Sequence, residues 1–460
     1  MNTLLFEPTD VLFFRDGRPM GGSLSGHGAA WPLPTVVNAA LHAALWRADL
    51  DGVHSHGHDG HDGVRIRMFG SLLTAGPFPV LKSGEWLFPR PLDTGVTEKT
   101  AVDSTAITFQ PLKKGFKRAH ASLPEPLQYP VAATLTPTKA TPSPWWTKTA
   151  WESYLKGDVL LAEKDPEVNA KNSQKPVHFH KDAAFSETEF TYGIGMSPDT
   201  GVQDGERFYS AHYLRLKPDC RLGLLADCQD KGNGDPKNER DLIEAVFPNS
   251  GAKTPIIVGG QQRACTVRRE CSPSIPLPRG KSEGLHDADS GKYLVKWALL
   301  TPAIFPEINE HKGGWLPSWV RRADGKVMLK SGDASRRERE GRDSWRKRIA
   351  AMPEIAAQLV AANVDKPILV SGYALPHEAN GKAGGPKPTH LAVPAGSVYY
   401  FACESESAAK DLANALNWHG AGEPDTIRNR RSTLLGEKGF GLGVCGTWRF
   451  HIGKLPGTRS

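Results

Sequence analysis

Residues 436–448 read GEKGFGLGVCGTW, and the fold assignment turns on what these glycines serve. Gly439, Gly441, Gly443 and Gly446 let the backbone approach an anion, or another stretch of chain, with no side chain in between. A dinucleotide fingerprint would need a strand before the run, a helix after it and an acidic residue about 20 positions on. Only 14 residues follow Gly446, and TWRFHIGKL (447–455) reads as a strand. No Gly-Lys-Ser/Thr closes the run, so a P-loop is excluded as well. The stretch reads as an anion-binding or packing turn that enters a final strand.

Working outward, SESAAKDLANALNWHG (405–420) before this turn predicts a helix with a serine start and a glycine stop. KYLVKWALL (292–300), PILVSGYAL (367–375) and THLAVPAGSVYYFAC (389–403) predict strands that pack with it. In the other half, TLLFEP and DVLFFRDGRPM predict a short strand pair, followed by the glycine-rich connector GGSLSGHGAAW (21–31). PLPTVVNAALHAALWRADL then predicts a helix from Pro34, with Val37, Ala40, Leu41, Ala44 and Leu45 on one face. FTYGIGMSPDTGVQDGERFYSAHYLRL (190–216) is the clearest hairpin, turning at Pro-Asp-Thr-Gly, with a short helix in ERDLIEAVFP after it. The fold class is α+β, in two β-α-β-rich halves with no detectable repeat between them.

The chain of 460 residues is long enough for a full core in each half without disulfides or metals. Its 47 Gly and 36 Pro favour turns over a helical bundle. The six cysteines include no C-x-x-C pair, so they read as reduced structural thiols. No stretch approaches the length of a membrane span, which leads to the expectation of a soluble, cytoplasmic protein. The formal charge of +7 favours a polyanionic partner.

Positive charge is concentrated in patches. PLKKGFKRAH sets Lys113, Lys114, Lys117 and Arg118 around Phe116, cations beside a stacking ring, which suits single-stranded nucleic acid. SRRERE and GRDSWRKR (335–348) mix cations with Glu338, Glu340 and Asp343, the pattern of a solvated, salt-bridged helix. Arg428, Arg430, Arg431 and Lys438 lead into the glycine turn. Arg15 and Arg18 lead into Gly21, Gly22, Gly26 and Gly28 and then a helix start, where backbone donors and guanidinium groups favour phosphate. His54, His56, His58 and His61 lie in a glycine-rich stretch that reads as a solvated loop, so no metal and no cofactor is expected.

Catalytic signatures are missing: there is no G-x-S-x-G, no H-E-x-x-H and no paired carboxylates in an apolar frame. His27 and His42 are the lone candidates for metal-independent RNA cleavage.

FEPTDVLFFRDGRPM with GHGAAWPLPTVVNAAL, then YGIGMSPDTGVQDGERFYSAHYLRL, VKWALLTPAIF, VSGYAL, PKPTHLAVPAGSVYYF and GFGLGVCGTW, follow in order along the chain. Together they resemble the third subunit of the Cmr-type effector complex of type III-B CRISPR systems, a RAMP-superfamily protein of the Cas-five-like group. The resemblance implies two facing ferredoxin-like (RRM-like) domains, residues 1–290 with a large insertion around 99–185 and residues 291–460, with a C-terminal glycine-rich loop. It implies a non-catalytic subunit that holds the 5′ repeat-derived tag of the guide RNA and docks the large signature subunit beside other RAMP subunits. Target RNA would lie near the guide 5′ end, and a hairpin, which the blocks do not single out, would wedge into the guide–target duplex.

Carried over by position, the tag-contacting loop maps onto Arg15, Asp16, Gly17, Arg18, Gly21, Gly22 and His27 up to Gly28. The other matching segments are Lys387 to Thr389 and Gly439, Gly441 and Gly443 within the terminal loop, flanked by Arg430 and Lys438. The alternative within the superfamily is a guide-RNA-processing endoribonuclease using His27 or His42.

Overall fold

The computed structural model describes residues 1–15, 24–26, 29–50, 69, 71–96, 104–113, 122–134, 140–157, 161–162, 177–197, 199–230, 239–249, 251–270, 274–308, 311–332, 340–374, 384–423 and 425–452. They form a mixed α+β protein with several antiparallel sheets. The chain runs through β1 (Asn2–Pro8), α1 (Pro34–Arg47), β2 (Leu73–Val80), α2 (Lys148–Leu155), β3 (Ser186–Met196), β4 (Gln203–Leu216), β5 (Arg221–Asp227), α3 (Leu242–Val246), β6 (Thr254–Ile257) and β7 (Ala264–Glu270). It continues through β8 (Lys292–Leu299), α4 (Arg342–Ala351), β9 (Ala357–Asn363), β10 (Val398–Cys403), α5 (Glu406–Leu416) and β11 (Gly443–Thr447).

The first sheet has the order β6-β7-β1-β5-β2, antiparallel throughout. Apart from the extra edge strand β6, its strands stand fourth, first, third, second in chain order. The second sheet repeats that threading as β11-β8-β10-β9. Alternation along each strand explains how both faces are buried. Leu4 and Phe6 of β1, with Leu222 and Leu224 of β5, pack under Val37, Leu41 and Leu45 of α1. Val295, Trp297 and Leu299 of β8 pack under Ala409, Leu412 and Leu416 of α5. Each such Leu, Val or Phe contributes roughly 1.5–3 kcal/mol on full burial.

The opposite faces share one core. Leu5, Phe78 and Leu225 from the first sheet join Leu294, Ala298, Tyr400 and Val444 from the second, with Trp146, Trp151 and Tyr154 of the inserted region in the same cluster. A charged knot crosses this apolar layer. Lys296 of β8 and Asp93 are each only 1% exposed, with Lys296 Nζ 3.5 Å from Asp93 Oδ2. The hydroxyls of Tyr154 and Tyr400 donate to Asp93 Oδ1 and Oδ2 at 2.8 and 3.1 Å, and Lys296 Nζ lies 3.5 Å from the centre of the Tyr154 ring. Burial lowers the Lys296 pKa, while Asp93 works to raise it.

Several expectations are corrected locally. The last strand begins inside the glycine run, at Gly443, and ends at Thr447, instead of spanning 447–455. Its pairing with Val295–Leu299 fixes that register. α5 starts at the expected serine, whose side chain accepts from the Ala408 amide, but stops at Asn417 rather than at a glycine. Asn417 Nδ2 donates to Lys281 O at 2.9 Å, and its Oδ1 accepts from the Cys445 amide at 2.7 Å, which locks the helix end to β11. The glycine-rich connector contains a strand, Leu24–Gly26, paired in parallel with Tyr209–Ala211 of β4. The basic run does form a helix, α4, none of whose residues is buried. Arg348 makes a two-pronged ion pair with Glu340, 2.9 Å on each side, in keeping with the salt-bridged reading.

Candidate nucleic-acid interface

The terminal glycine turn lies against the first sheet. Gly439 (φ 99°) and Gly441 (φ 75°) adopt left-handed conformations that strain any other residue. A Cβ on Gly439 would stand 3.0 Å from Thr74 O of β2, one on Gly441 would overlap the Ser432 amide, and one on Gly443 would overlap the Trp297 indole nitrogen. The Gly439 and Gly441 amides donate within the protein, to Gly436 O and Pro302 O at 3.0 and 2.7 Å. Close packing therefore accounts for these glycines, and the groups left to meet an anion at this turn are side chains.

Those side chains differ sharply. Arg431 donates from Nε to Ala415 O, in the last turn of α5, and from Nη2 to Asn429 Oδ1, so it serves as a cation at a helix C-terminus. Arg430 has a single long bond, Nη1 to Ile427 O at 3.4 Å, and its buried Nε and Nη2 have no hydrogen-bond partner among the described residues. Desolvation lowers the Arg430 pKa to about 10, against the pull of Asp227 and Glu437. Lys438 is half-buried and close enough to His42 of α1 for its charge, after burial, to lower that histidine's pKa. The His42 ring meets Phe69 edge-on at 5.4 Å. The structure thus brings Arg430, Lys438 and the glycines together with α1 and β2.

The remaining predicted positions lie elsewhere. Arg15 is exposed at the end of the described N-terminal strand region. Arg18, Gly21, Gly22, His27, Lys114, Lys117 and the histidines from His54 to His61 lie outside the described residues. Lys113 is held by Asp289 and lies 5.4 Å from the centre of the Phe450 ring, so its charge is largely spent locally. The Asp289 bond raises its pKa. Lys387 is exposed on a two-stranded turn, its amide donating to Gly372 O at 2.8 Å.

Sequence reasoning found the β3–β4 hairpin but missed what it displays. Phe190, Tyr192, Ile194 and Met196 all face solvent, with Tyr192 66% exposed, and Val202 beyond the turn is exposed too. The spacing of two puts Phe190, Tyr192 and Ile194 on one side of β3, and the register shifts before Met196. The rings of Phe190 and Tyr192 are 4.3 Å apart, and Phe190 meets His212 on the paired strand at 4.5 Å. The signal was the apolar alternation itself, in a hairpin with nothing in the sequence to cover it. The strand Leu24–Gly26 runs along the other edge of β4.

Among the described residues no helix is long and apolar enough to cross a membrane. No individual curated protein matches the chain. Among solved structures, a chain in a cryo-EM structure of the Type III-B Cmr-beta bound to cognate target RNA is 14% identical, with 86% of each chain covered and a TM-score of 0.39. A chain of the Csm3-Csm4 subcomplex in the type III-A CRISPR-Cas interference complex is 12% identical, covering 87% of this chain and 92% of that one, with a TM-score of 0.35. Residues 4–448 match the family described as CRISPR-associated protein (Cas_Cmr3), in agreement with the resemblance read from the sequence blocks. A match across nearly the whole length makes this chain a member of the CRISPR-associated Cas_Cmr3 family.

Proposed function

We propose that the chain is a non-catalytic, RNA-binding subunit of a type III-B CRISPR effector complex. In this reading it holds the 5′ repeat-derived tag of the guide RNA and docks the large signature subunit. The repeated fourth-first-third-second strand order supports two ferredoxin-like domains, residues 1–290 and 291–460, with Trp146, Trp151, Tyr154 and Phe179 of the insertion around 99–185 in their shared core.

The observation that carries the reading is the solvent-facing row on β3, whose partner strand β4 also pairs with Leu24–Gly26. A soluble protein leaves aromatic and aliphatic side chains in such a row where something stacks on them, and nucleobases offer a π-face. The hairpin is the element that would wedge at the guide–target duplex. Arg15, Arg18, Gly21, Gly22 and His27 would hold the tag. Arg430 and Lys438, beside the terminal glycine turn, would supply a second contact, and Lys387, Lys114 and Lys117 further cations.

The test is purification of the tagged chain from its host, ultraviolet crosslinking and sequencing of the attached RNA. Reads sharing one repeat-derived 5′ end, with a large subunit co-purifying, are expected. Reads without a common 5′ end would leave the family fold without this role. Incubating the chain with repeat RNA in chelator tests the nuclease alternative, since cleavage lost in His42→Ala would favour it.

A further inference from the structure

A groove of about 650 Å³ opens between the inserted region and the second half of the chain. One wall carries Leu123 and Leu127, and the other Trp315, Val364 and Leu391. Both walls are pinned by backbone hydrogen bonds. The Gln128 and Tyr129 amides donate to Val360 O of β9 at 2.9 and 3.0 Å, and the strand His390–Val393 pairs with Ile368–Val370 and Ala303–Ile304. The groove is therefore formed before anything enters it, which spares an occupant the cost of ordering it. Leu391 is half exposed at its mouth.

Its charge identifies the kind of occupant. On a chain carrying a net +7, none of the described lining residues is Lys or Arg, and the one ionised group among them is the Asp365 carboxylate. An apolar trough with one carboxylate at its rim, its Oδ1 accepting from the Lys366 amide at 2.7 Å, offers no lining cation to phosphate and accepts aliphatic or aromatic side chains beside a cation. We propose that this groove docks a segment of a partner protein, one presenting apolar anchors flanked by a Lys or Arg that meets Asp365. The inference rests on the reading of the chain as a complex subunit and gives that subunit a protein-binding groove.

The test co-expresses the full chain with the other complex subunits and measures, in one preparation, large subunit recovered per chain and RNA crosslinked to the chain. Leu391→Asp is expected to cut co-purifying subunit by about tenfold or more, as loss of a buried anchor does. Asp365→Lys should weaken recovery and Asp365→Glu retain it. Leu391→Met should also retain it, and RNA crosslinking should be unchanged in all four. Because Leu391 is half exposed, a folding defect is checked by thermal melting, and Leu123→Asp carries the same expectation as a second probe. Full assembly with both Asp variants would overturn the proposal. So would a dimer of the isolated chain that Leu391→Asp dissociates, since the occupant would then be a second copy. A wild-type chain that recovers neither RNA nor subunit would instead sink the proposed function.

Discussion

Lys296 is the residue whose placement departs furthest from what its chemistry favours. A fully buried ammonium is tolerated because Asp93 neutralises it, two tyrosine hydroxyls occupy both carboxylate oxygens and the Tyr154 ring lies alongside. Asp93 comes from the first half and Lys296 from the second, so the pair can form only when the halves dock in one arrangement. Breaking one side leaves an uncompensated buried charge, and Lys296→Met or Asp93→Leu alone should cost roughly 3–5 kcal/mol. The double replacement should restore part of that loss, since it removes the unpaired charge but leaves the Tyr154 and Tyr400 hydroxyls without their acceptor. Urea titrations of the three variants would measure it, and a double mutant no better than either single would refute a paired role. Neither residue drew attention in the sequence: a lysine within VKWALL and an aspartate within RPLDTGV look like solvated positions until the sheets meet.

At the scale of elements, the β3–β4 hairpin and α4 are both exposed, yet different physics applies to them. The face of α4 is charged, with Arg348 tied to Glu340 and no residue buried, as expected of a helix laced by surface ion pairs. The hairpin keeps apolar groups exposed that nothing among the described residues covers. Replacing Tyr192 and Ile194 by Ala should therefore leave the melting temperature unchanged while weakening guide–target RNA binding by roughly 1–3 kcal/mol per lost stacking contact. Filter binding with single-stranded and duplexed RNA would test this, and undiminished affinity would remove the hairpin from the interface. The hairpin and α1 were legible because strand alternation and a proline start are local signals. The final strand was misplaced because its register is set by β8, more than a hundred residues upstream.

For the whole molecule, electrostatics gives two expectations. If Arg15 and Arg18 contact guide phosphates, replacing both by Ala should reduce the slope of log affinity against log salt by about 1.4, the counterion release of two single-strand contacts. An unchanged slope would take the N-terminal loop out of the interface. Burial lowers the pKa values of His42, His178, His180 and His419. The unfolded chain binds protons at these sites below about pH 6.5 while the folded chain resists them, so the stability they confer is complete above that pH. It is lost as the pH falls through the lower folded values. Thermal melts should therefore shift downward between pH 7 and pH 5, and a flat profile would show these rings to be solvated.

The α+β class, the family, the helix from Pro34, the long hairpin and the presence of basic segments were legible in the residues alone, because periodicity, turn residues and ordered motif blocks are written along the chain. The folded arrangement decided that Gly441 and Gly443 accommodate Ser432 and Trp297, and that Arg431 serves a helix end while Arg430 has buried nitrogens with no hydrogen-bond partner among the described residues. It likewise decided that Lys113 is held by Asp289. The physical reason is common to all of these. What a glycine or a cation does depends on which distant atoms come within a few ångströms of it, and that proximity arises when the two sheets close on their shared core.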